Sequence, residues 1–316
     1  MSARLLLLDT ASLYFRAYFG VPDTVTAPDG TPVNAVRGLL DFITRLVGQY
    51  SPTQLACCWD NDWRPHWRVE LLPTYKAHRV VTETTHGVDV EVTPDTLSPQ
   101  VPVIAEVLAA LGLQVVGADG YEADDVIATL AQRADMPVDI VTGDRDLFQL
   151  VDDDRAVRVL YTARGVGRHE VLDERAIVGR YGVLPQQYAD FATLRGDTSD
   201  GLPGVAGIGE KTAAALLATH GDLDSIVAAA GTTTGGMAAG LRAKITAAAD
   251  YLSVAPRVVA VVRDLNLPDA DLTLPSAVPR DPHAFDALVE RWGLGSSASR
   301  VVEALDRARA HSVSEV

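Results

Sequence analysis

The chain has 316 residues, 47% of them hydrophobic, and a net charge of −15 at pH 7. That is apolar material for one large domain or two smaller ones, and no apolar run approaches a membrane span. A balance this acidic argues against a nucleic-acid binder, whose surface is ordinarily basic, unless the acids are gathered at metal ions.

Residues 5–8 are four leucines, a buried-strand run closed by Asp9 and too short for a signal-peptide core. Residues 12–18 read as a helix carrying one cation, Arg16, and residues 23–33 as loop. Val36, Leu39, Leu40, Ile43, Leu46 and Val47 form an amphipathic stripe, so residues 34–48 are expected to be helix. Residues 55–59 are the next strand, and Asp60 follows it. Cys57 and Cys58 on that strand face opposite sides and read as unpaired thiols of a reducing, cytoplasmic compartment.

Residues 63–79 interleave cations with aromatics, a pattern that suits phosphate contact and base stacking. Residues 80–98 are polar and read as a flap over a cleft. Ile104, Val107, Leu108 and Leu111 mark a helix, and residues 114–116 a short strand.

Residues 120–150 are the centre of the chain. Glu122, Asp124 and Asp125 crowd the first turn of a helix, where the dipole favours negative charge. Val126, Ile127 and Leu130 give that helix its apolar face. Residues 138–142 are a strand, and Asp144 and Asp146 follow its Gly turn. The bland alternative for either half alone is a solvated helix start or an acidic turn. Together they are five carboxylates at two element ends. Two like charges about 4 Å apart repel by roughly 1 kcal/mol in water and roughly 4 kcal/mol near a protein surface. Such a cluster needs a cation, and oxygen donors suit Mg²⁺ or Mn²⁺. Three strands thus hand over to Asp9, Asp60 and Asp144, and alternation with helices implies a parallel sheet. Ligands bind beyond the carboxyl ends of such sheets, so all these acids are expected to converge on one cleft.

A further strand is expected over residues 157–161, and after about residue 173 the pattern turns helical. Asp197 and Asp200 precede Gly204-Val205-Ala206-Gly207-Ile208-Gly209, then Lys211 and Thr212 opening a helix. A P-loop would need Lys directly after the last Gly, and Glu210 intervenes; the glycine order also differs from a dinucleotide fingerprint. What remains fits a helix-hairpin-helix that grips a DNA backbone without reading bases. Residues 231–240 read as a flexible loop. If nine of the acids are site ligands, setting them aside takes the net charge from −15 to −6.

These residues resemble the FEN-like 5′ nucleases, which include bacterial 5′–3′ exonucleases and the 5′-nuclease domain of DNA polymerase I. The resemblance rests on Asp9 to Tyr18, on Asp60 with Tyr75-Lys76-Ala77-His78-Arg79, on Glu122-Ala123-Asp124-Asp125 with Thr142-Gly143-Asp144-Arg145-Asp146, and on Gly196 to Ala213. It covers roughly residues 3–270. It implies an α/β, PIN-like core with a mostly parallel central sheet flanked by helices, over residues 1–175 with an arch at 61–100. A helical, helix-three-turn-helix DNA-binding region over 176–305 and a flexible tail over 306–316 would follow.

The resemblance implies nine metal-site acids: Asp9, Asp60, Glu122, Asp124, Asp125, Asp144, Asp146, Asp197 and Asp200, holding two or three Mg²⁺ or Mn²⁺ ions. Asp125 and Asp144 would be catalytic with Lys76 and Arg79, which would steer the phosphate. DNA contacts would come from Arg16, Tyr75 (stacking on the terminal nucleotide), Lys76, Arg79, Gly207, Gly209, Lys211 and Thr212. A K⁺ ion would sit near Ser199 and Val205. The implied enzyme is a stand-alone, monomeric, cytoplasmic and nucleoid-associated 5′–3′ exonuclease and 5′-flap endonuclease of replication and repair. Its substrates would be flap, gapped, nicked or 5′-ended DNA, RNA-primed DNA included. Three departures stand out: Asp62 where the family has Lys, with Arg64 a candidate to compensate; one extra residue between Asp60 and Tyr75; and Gly201 where Asn is usual. A non-catalytic junction binder and an RNA nuclease on a related sheet remain the alternatives.

Overall fold

The computed structural model describes residues 3–84, 87–233 and 236–313. The N-terminal half alternates strand and helix: β1 (Leu5–Asp9), α1 (Thr10–Gly20), α2 (Asn34–Tyr50), β2 (Gln54–Trp59) and α3 (His66–Leu71). A small ribbon, β3 (Val80–Thr82) and β4 (Val90–Glu91), precedes α4 (Gln100–Leu111), β5 (Gln114–Gly117), α5 (Ala123–Arg133), β6 (Val138–Thr142), β7 (Val157–Tyr161) and β8 (Glu170–Leu172). Eight helices follow: α6 (Glu174–Tyr181), α7 (Tyr188–Arg195), α8 (Glu210–His220), α9 (Leu223–Ala230), α10 (Ala239–Ala247), α11 (Ala249–Val259), α12 (Pro282–Trp292) and α13 (Gly295–Val313).

The main sheet has the order β5-β2-β1-β6-β7-β8, parallel except for β7 against β8. The leucines of β1 are buried on both faces, as a central parallel strand requires. Leu5 and Leu7 enter one core with Val126, Ile127 and the helices after α5. Leu6 and Leu8 enter the other, with the stripe of α2. Register aligns Asp9 with Cys58, so the carboxyl ends of the central strands lie side by side.

The expected flap over residues 80–98 contains the β3–β4 ribbon; residues 85 and 86 lie outside the described residues. In the expected loop at 231–240, residues 234 and 235 lie outside them too, and α10 begins at Ala239. The expected tail from 306 is corrected: α13 continues to Val313, because Leu305 and Ala308 pack into the α2 core. Residues 314–316 lie outside the described part. The last two helices thus return to the N-terminal layer. Cys57 and Cys58 are free and buried, and burial pushes the Cys57 thiol up to about 12.

One buried charge sits inside the sheet. Asp139 of β6 is fully buried and accepts from Arg4 (2.7 Å) and from Arg158 of the paired strand (2.6 Å). Asp139→Ala leaves two partly solvated guanidinia without their partner. Urea unfolding should show about 2 kcal/mol of lost stability at constant m value; a change under about 0.5 kcal/mol would show that solvent already satisfies both arginines.

Candidate active site

Asp9, Asp60, Glu122, Asp124 and Asp144 line one open cleft of about 1070 Å³ beyond the carboxyl ends of β1, β2 and β6. The backbone fixes several of them. Asp9 caps α1, accepting the Ser12 N–H at 3.1 Å and the Thr142 hydroxyl at 2.7 Å. Asp60 accepts the Ala123 N–H at 2.7 Å and so caps α5. The Thr142 hydroxyl also accepts the Asp144 N–H, and the Asp144 carboxylate accepts the Asp146 N–H.

Desolvation dominates the electrostatics. Burial, with Asp144 adding repulsion, raises Asp9 to about 6. Burial and the Asp9 charge raise Asp60 to about 7. Asp124 and Asp146 are pushed well above the carboxylate range, by burial first and Asp144 second. The neighbouring carboxyl of Asp200 raises Asp146 further. Burial raises Asp200 as well, against the pull of Lys76.

Glu122 behaves differently. Its burial favours the proton, but Lys76 and Arg68 reverse that and hold it below the usual range. The Lys76 ammonium and the Arg68 guanidinium both contact its carboxylate, and the Tyr75 hydroxyl donates to it at 2.7 Å. Arg68, itself fully buried, grips Asp125 with both terminal nitrogens at 2.9 and 2.7 Å and donates to the Val258 carbonyl. Asp125 also accepts the Val262 N–H at 2.8 Å. Asp197 pairs with Arg145 (2.9 Å) and Arg195 (3.0 Å).

The nine acids therefore divide. Five line the cleft, Asp146 and Asp200 are neighbours, the second raising the first, and Asp125 and Asp197 are clasped by guanidinia. Among the described residues, no three His, Cys, Asp or Glu side chains are close enough to hold an ion as they stand.

The arch side chains follow the same logic. Lys76 adopts a left-handed backbone (φ 48°) and donates its N–H to the Asp200 carbonyl at 3.0 Å. That aims its ammonium at Glu122. Arg79 and Arg16 line the cleft, Arg79 beside Glu91 at 3.4 Å. Tyr75 is corrected: its ring is 3% exposed and packs with Leu202 and Val258, because its hydroxyl serves Glu122, so no face is offered to a base. Arg64 does not replace the missing cation either. Its guanidinium is buried on the carbonyls of Tyr75 and Pro73 and on Asp89 at 2.6 Å, pinning the base of the arch. Asp62 is buried beneath it, accepting the Arg64 N–H.

Gly201 has φ +70°, and a Cβ there would lie 2.0 Å from the Thr74 carbonyl oxygen. The departure from Asn thus lets the hairpin turn press against the arch base. Gly207, Gly209 and Lys211 are exposed at the start of α8, and Thr212 is half-buried. Lys244, which sequence reading passed over, donates to the Gly207 carbonyl at 2.9 Å. Ser199 spends its hydroxyl on Asp197, and the Val205 N–H bonds Leu194.

Comparison with known proteins adds the lineage. Residues 4–182 match the family model described as 5′–3′ exonuclease, N-terminal resolvase-like domain, and residues 183–279 the 5′–3′ exonuclease, C-terminal SAM fold. The chain belongs to the 5′–3′ exonuclease family. A 5′–3′ exonuclease of Streptomyces coelicolor is 62% identical over 300 residues, covering 95% of this chain and 99% of its own. One of Mycobacterium tuberculosis is 50% identical over 319 residues, covering 97% and 99%. The bacteriophage T5 flap endonuclease, solved in a pseudo-enzyme–product complex with DNA and metal ions, shares the fold. Its TM-score is 0.62 at 18% identity, over 96% of this chain and 99% of that one.

The raised carboxyls give a pH dependence. An acid whose folded pKa exceeds its unfolded value stabilises below the unfolded value and loses that contribution as pH rises through the folded one. For Asp9 and Asp60 the loss runs from about pH 4 to about 6 and 7. Glu122 is lowered, so its contribution changes only below its ordinary range and outside this window. Each unit of elevation is worth about 1.4 kcal/mol. In chelator, the melting temperature should fall by roughly 5 °C or more between pH 5 and pH 8. A rise over that interval would contradict the electrostatic reading.

Proposed function

We propose that this member of the family is a metal-dependent 5′ nuclease that hydrolyses DNA phosphodiesters at 5′ ends and 5′ flaps. The observation that carries the reading is the row of carboxylates on one cleft, several holding protons above their ordinary range. Such acids exchange protons readily for a harder cation, and an all-oxygen donor set suits Mg²⁺ or Mn²⁺.

Asp9, Asp60, Glu122, Asp124 and Asp144 would hold one ion, and Asp146 and Asp200 a second. Asp125 and Asp197 would act from behind, keeping Arg68, Arg145 and Arg195 in place. When bound, the ions supply Lewis acidity and lower the pKa of water to within reach of neutral pH. The residues of the chain do the rest. Arg79 and Lys76 face the phosphate from the arch side, and Lys76 would exchange Glu122 for a phosphate oxygen. The exposed turn at Gly207 and Gly209, with Lys211, Thr212 and Lys244, would hold the backbone of duplex DNA, as helix N-termini do. A K⁺ at Ser199 and Val205 would require Ser199 to release Asp197. No described helix is long and apolar enough to cross a membrane. The role we infer is in replication and repair in the cytoplasm.

Two measurements test this. End-labelled flap, gapped, nicked and blunt DNA should be cut with Mg²⁺ or Mn²⁺ and spared in chelator. Asp144→Asn should lower the rate by more than about a hundredfold, beyond the effect typical of residues behind a metal ligand. Retained cleavage in that variant would sink the assignment; tight flap binding without cleavage under any metal would favour a junction binder. Lys211→Ala should reduce the slope of log affinity against log salt by about 0.9, equally for all duplex sequences. A sequence-dependent loss would mean base reading instead.

A further inference from the structure

The function proposed above leaves Arg145 without a task of its own, although it stands between Asp144 and Asp146 at the start of a 3₁₀ turn (Asp146–Leu150). Its side chain is 36% exposed, and its guanidinium makes one hydrogen bond among the described residues, to Oδ2 of Asp197 at 2.9 Å. Arg195 reaches the same oxygen at 3.0 Å. Arg195 is also anchored elsewhere: it donates to the Gly196 carbonyl at 3.0 Å, pairs with Glu210 at 3.3 Å and lies over the Phe191 ring at 5.1 Å. The other oxygen of Asp197 accepts the Ser199 N–H at 3.0 Å and the Ser199 hydroxyl. Asp197 is therefore satisfied without Arg145, and two guanidinia on one carboxylate oxygen leave a surplus positive charge. That charge sits beside acids that lack a cation, since Asp197 and Asp200 both act by charge on Asp146. The hydroxyls of Tyr161, Tyr181 and Tyr188 lie near enough to bear on Arg145 as well. The Tyr188 hydroxyl is buried with no hydrogen-bond partner among the described residues, so an acceptor is open to a guanidinium that leaves Asp197.

We propose that Arg145 is the resident counter-cation of the second metal site: a divalent ion entering beside Asp146 and Asp200 must displace it, and it thereby sets the affinity for that ion. The inference rests on the metal-dependent reading above. Asp197 stays behind the site only while Arg145 takes up its charge. With Arg145 withdrawn, that charge acts on the ion instead. A guanidinium and a divalent cation in one small site repel, and the repulsion falls on the ion that arrives second. Removing the guanidinium therefore tightens binding. A residue that merely braces the turn would act in the opposite direction, because its loss would loosen Asp144 and Asp146.

The test titrates Mn²⁺ into the metal-free wild-type protein and into Arg145→Met, Arg145→Gln and Arg145→Lys, with free Mn²⁺ read by its electron paramagnetic resonance signal. Melting in chelator shows that each variant folds, and Arg145→Gln carries the test if Arg145→Met does not. The neutral variants should bind the weaker of two Mn²⁺ ions about fivefold more tightly, with the tighter ion unchanged, as fits one unit charge removed near a divalent ion in a solvated site. Arg145→Lys, which keeps the charge, should stay within about twofold of the wild type. A wild-type protein that takes one ion where the neutral variants take two supports the inference equally. Unchanged or weaker binding in the neutral variants overturns it, as does equal tightening in Arg145→Lys. If the wild-type protein binds Mn²⁺ and the neutral variants match it, the metal-dependent reading stands and this inference alone fails. If the wild-type protein binds no Mn²⁺, both fail.

Discussion

Repulsion between crowded carboxylates is the constraint that orders this molecule. A parallel sheet delivers the ends of β1, β2 and β6 to one edge, and Asp9, Asp60 and Asp144 arrive with them. The protein offsets their charge in two ways. Backbone N–H groups at the starts of α1 and α5 face Asp9 and Asp60. Cations from distant segments grip Glu122, Asp125 and Asp197. Burial raises the carboxyls of Asp124, Asp146 and Asp200, which lack such partners in full. A carboxyl whose charged form is disfavoured by burial and by its neighbours is one that a divalent ion would relieve most.

The same cations bind the arch to the rest of the fold. Arg68 of α3 reaches Glu122, Asp125 and the Val258 carbonyl, joining α3, α5 and α11 through one side chain. Lys76 holds both the Asp200 carbonyl and Glu122, with Gly201 pressed on Thr74. A buried guanidinium stripped of its carboxylates is costly to leave uncompensated. Arch and hairpin are therefore not independent appendages: a shift of Asp200 is felt at the Lys76 backbone and so at its ammonium. On the proposed function, DNA held at the hairpin and a phosphate at the carboxylates would act on one connected set of groups.

Much of this was legible in the sequence, for reasons that differ by element. Apolar runs ending in Asp are the signature of central parallel strands, and the stripe from Val36 to Val47 could only be a helix packed on a core. The acidic helix start is equally local, since Glu122, Asp124 and Asp125 lie within one turn. What local pattern hides is direction and partner. Arg64, Arg68 and Arg79 look alike in a basic stretch, yet two are buried and one lines the cleft. Tyr75 looks like a stacking platform until its hydroxyl is found on Glu122, 47 residues away in sequence. The arginines of the β7–β8 loop carry no motif, and only the fold brings them to Arg16.

Net charge, read first as an argument against nucleic acid, takes on a different sense once the charges are placed. Five acids line the floor of the cleft, Arg164 and Arg168 are exposed on one of its walls, and Lys211 and Lys244 are exposed at the hairpin turn. A cleft with a negative floor and positive rims admits a phosphodiester backbone only where cations bridge floor and phosphate. Nonspecific duplex gains little from the distant field of an acidic protein, since charges farther apart than about 8 Å are screened at physiological salt. Binding then depends on short-range contacts made at both rims together. On the proposed function, any selectivity would then arise from where the cations stand rather than from a reading of bases.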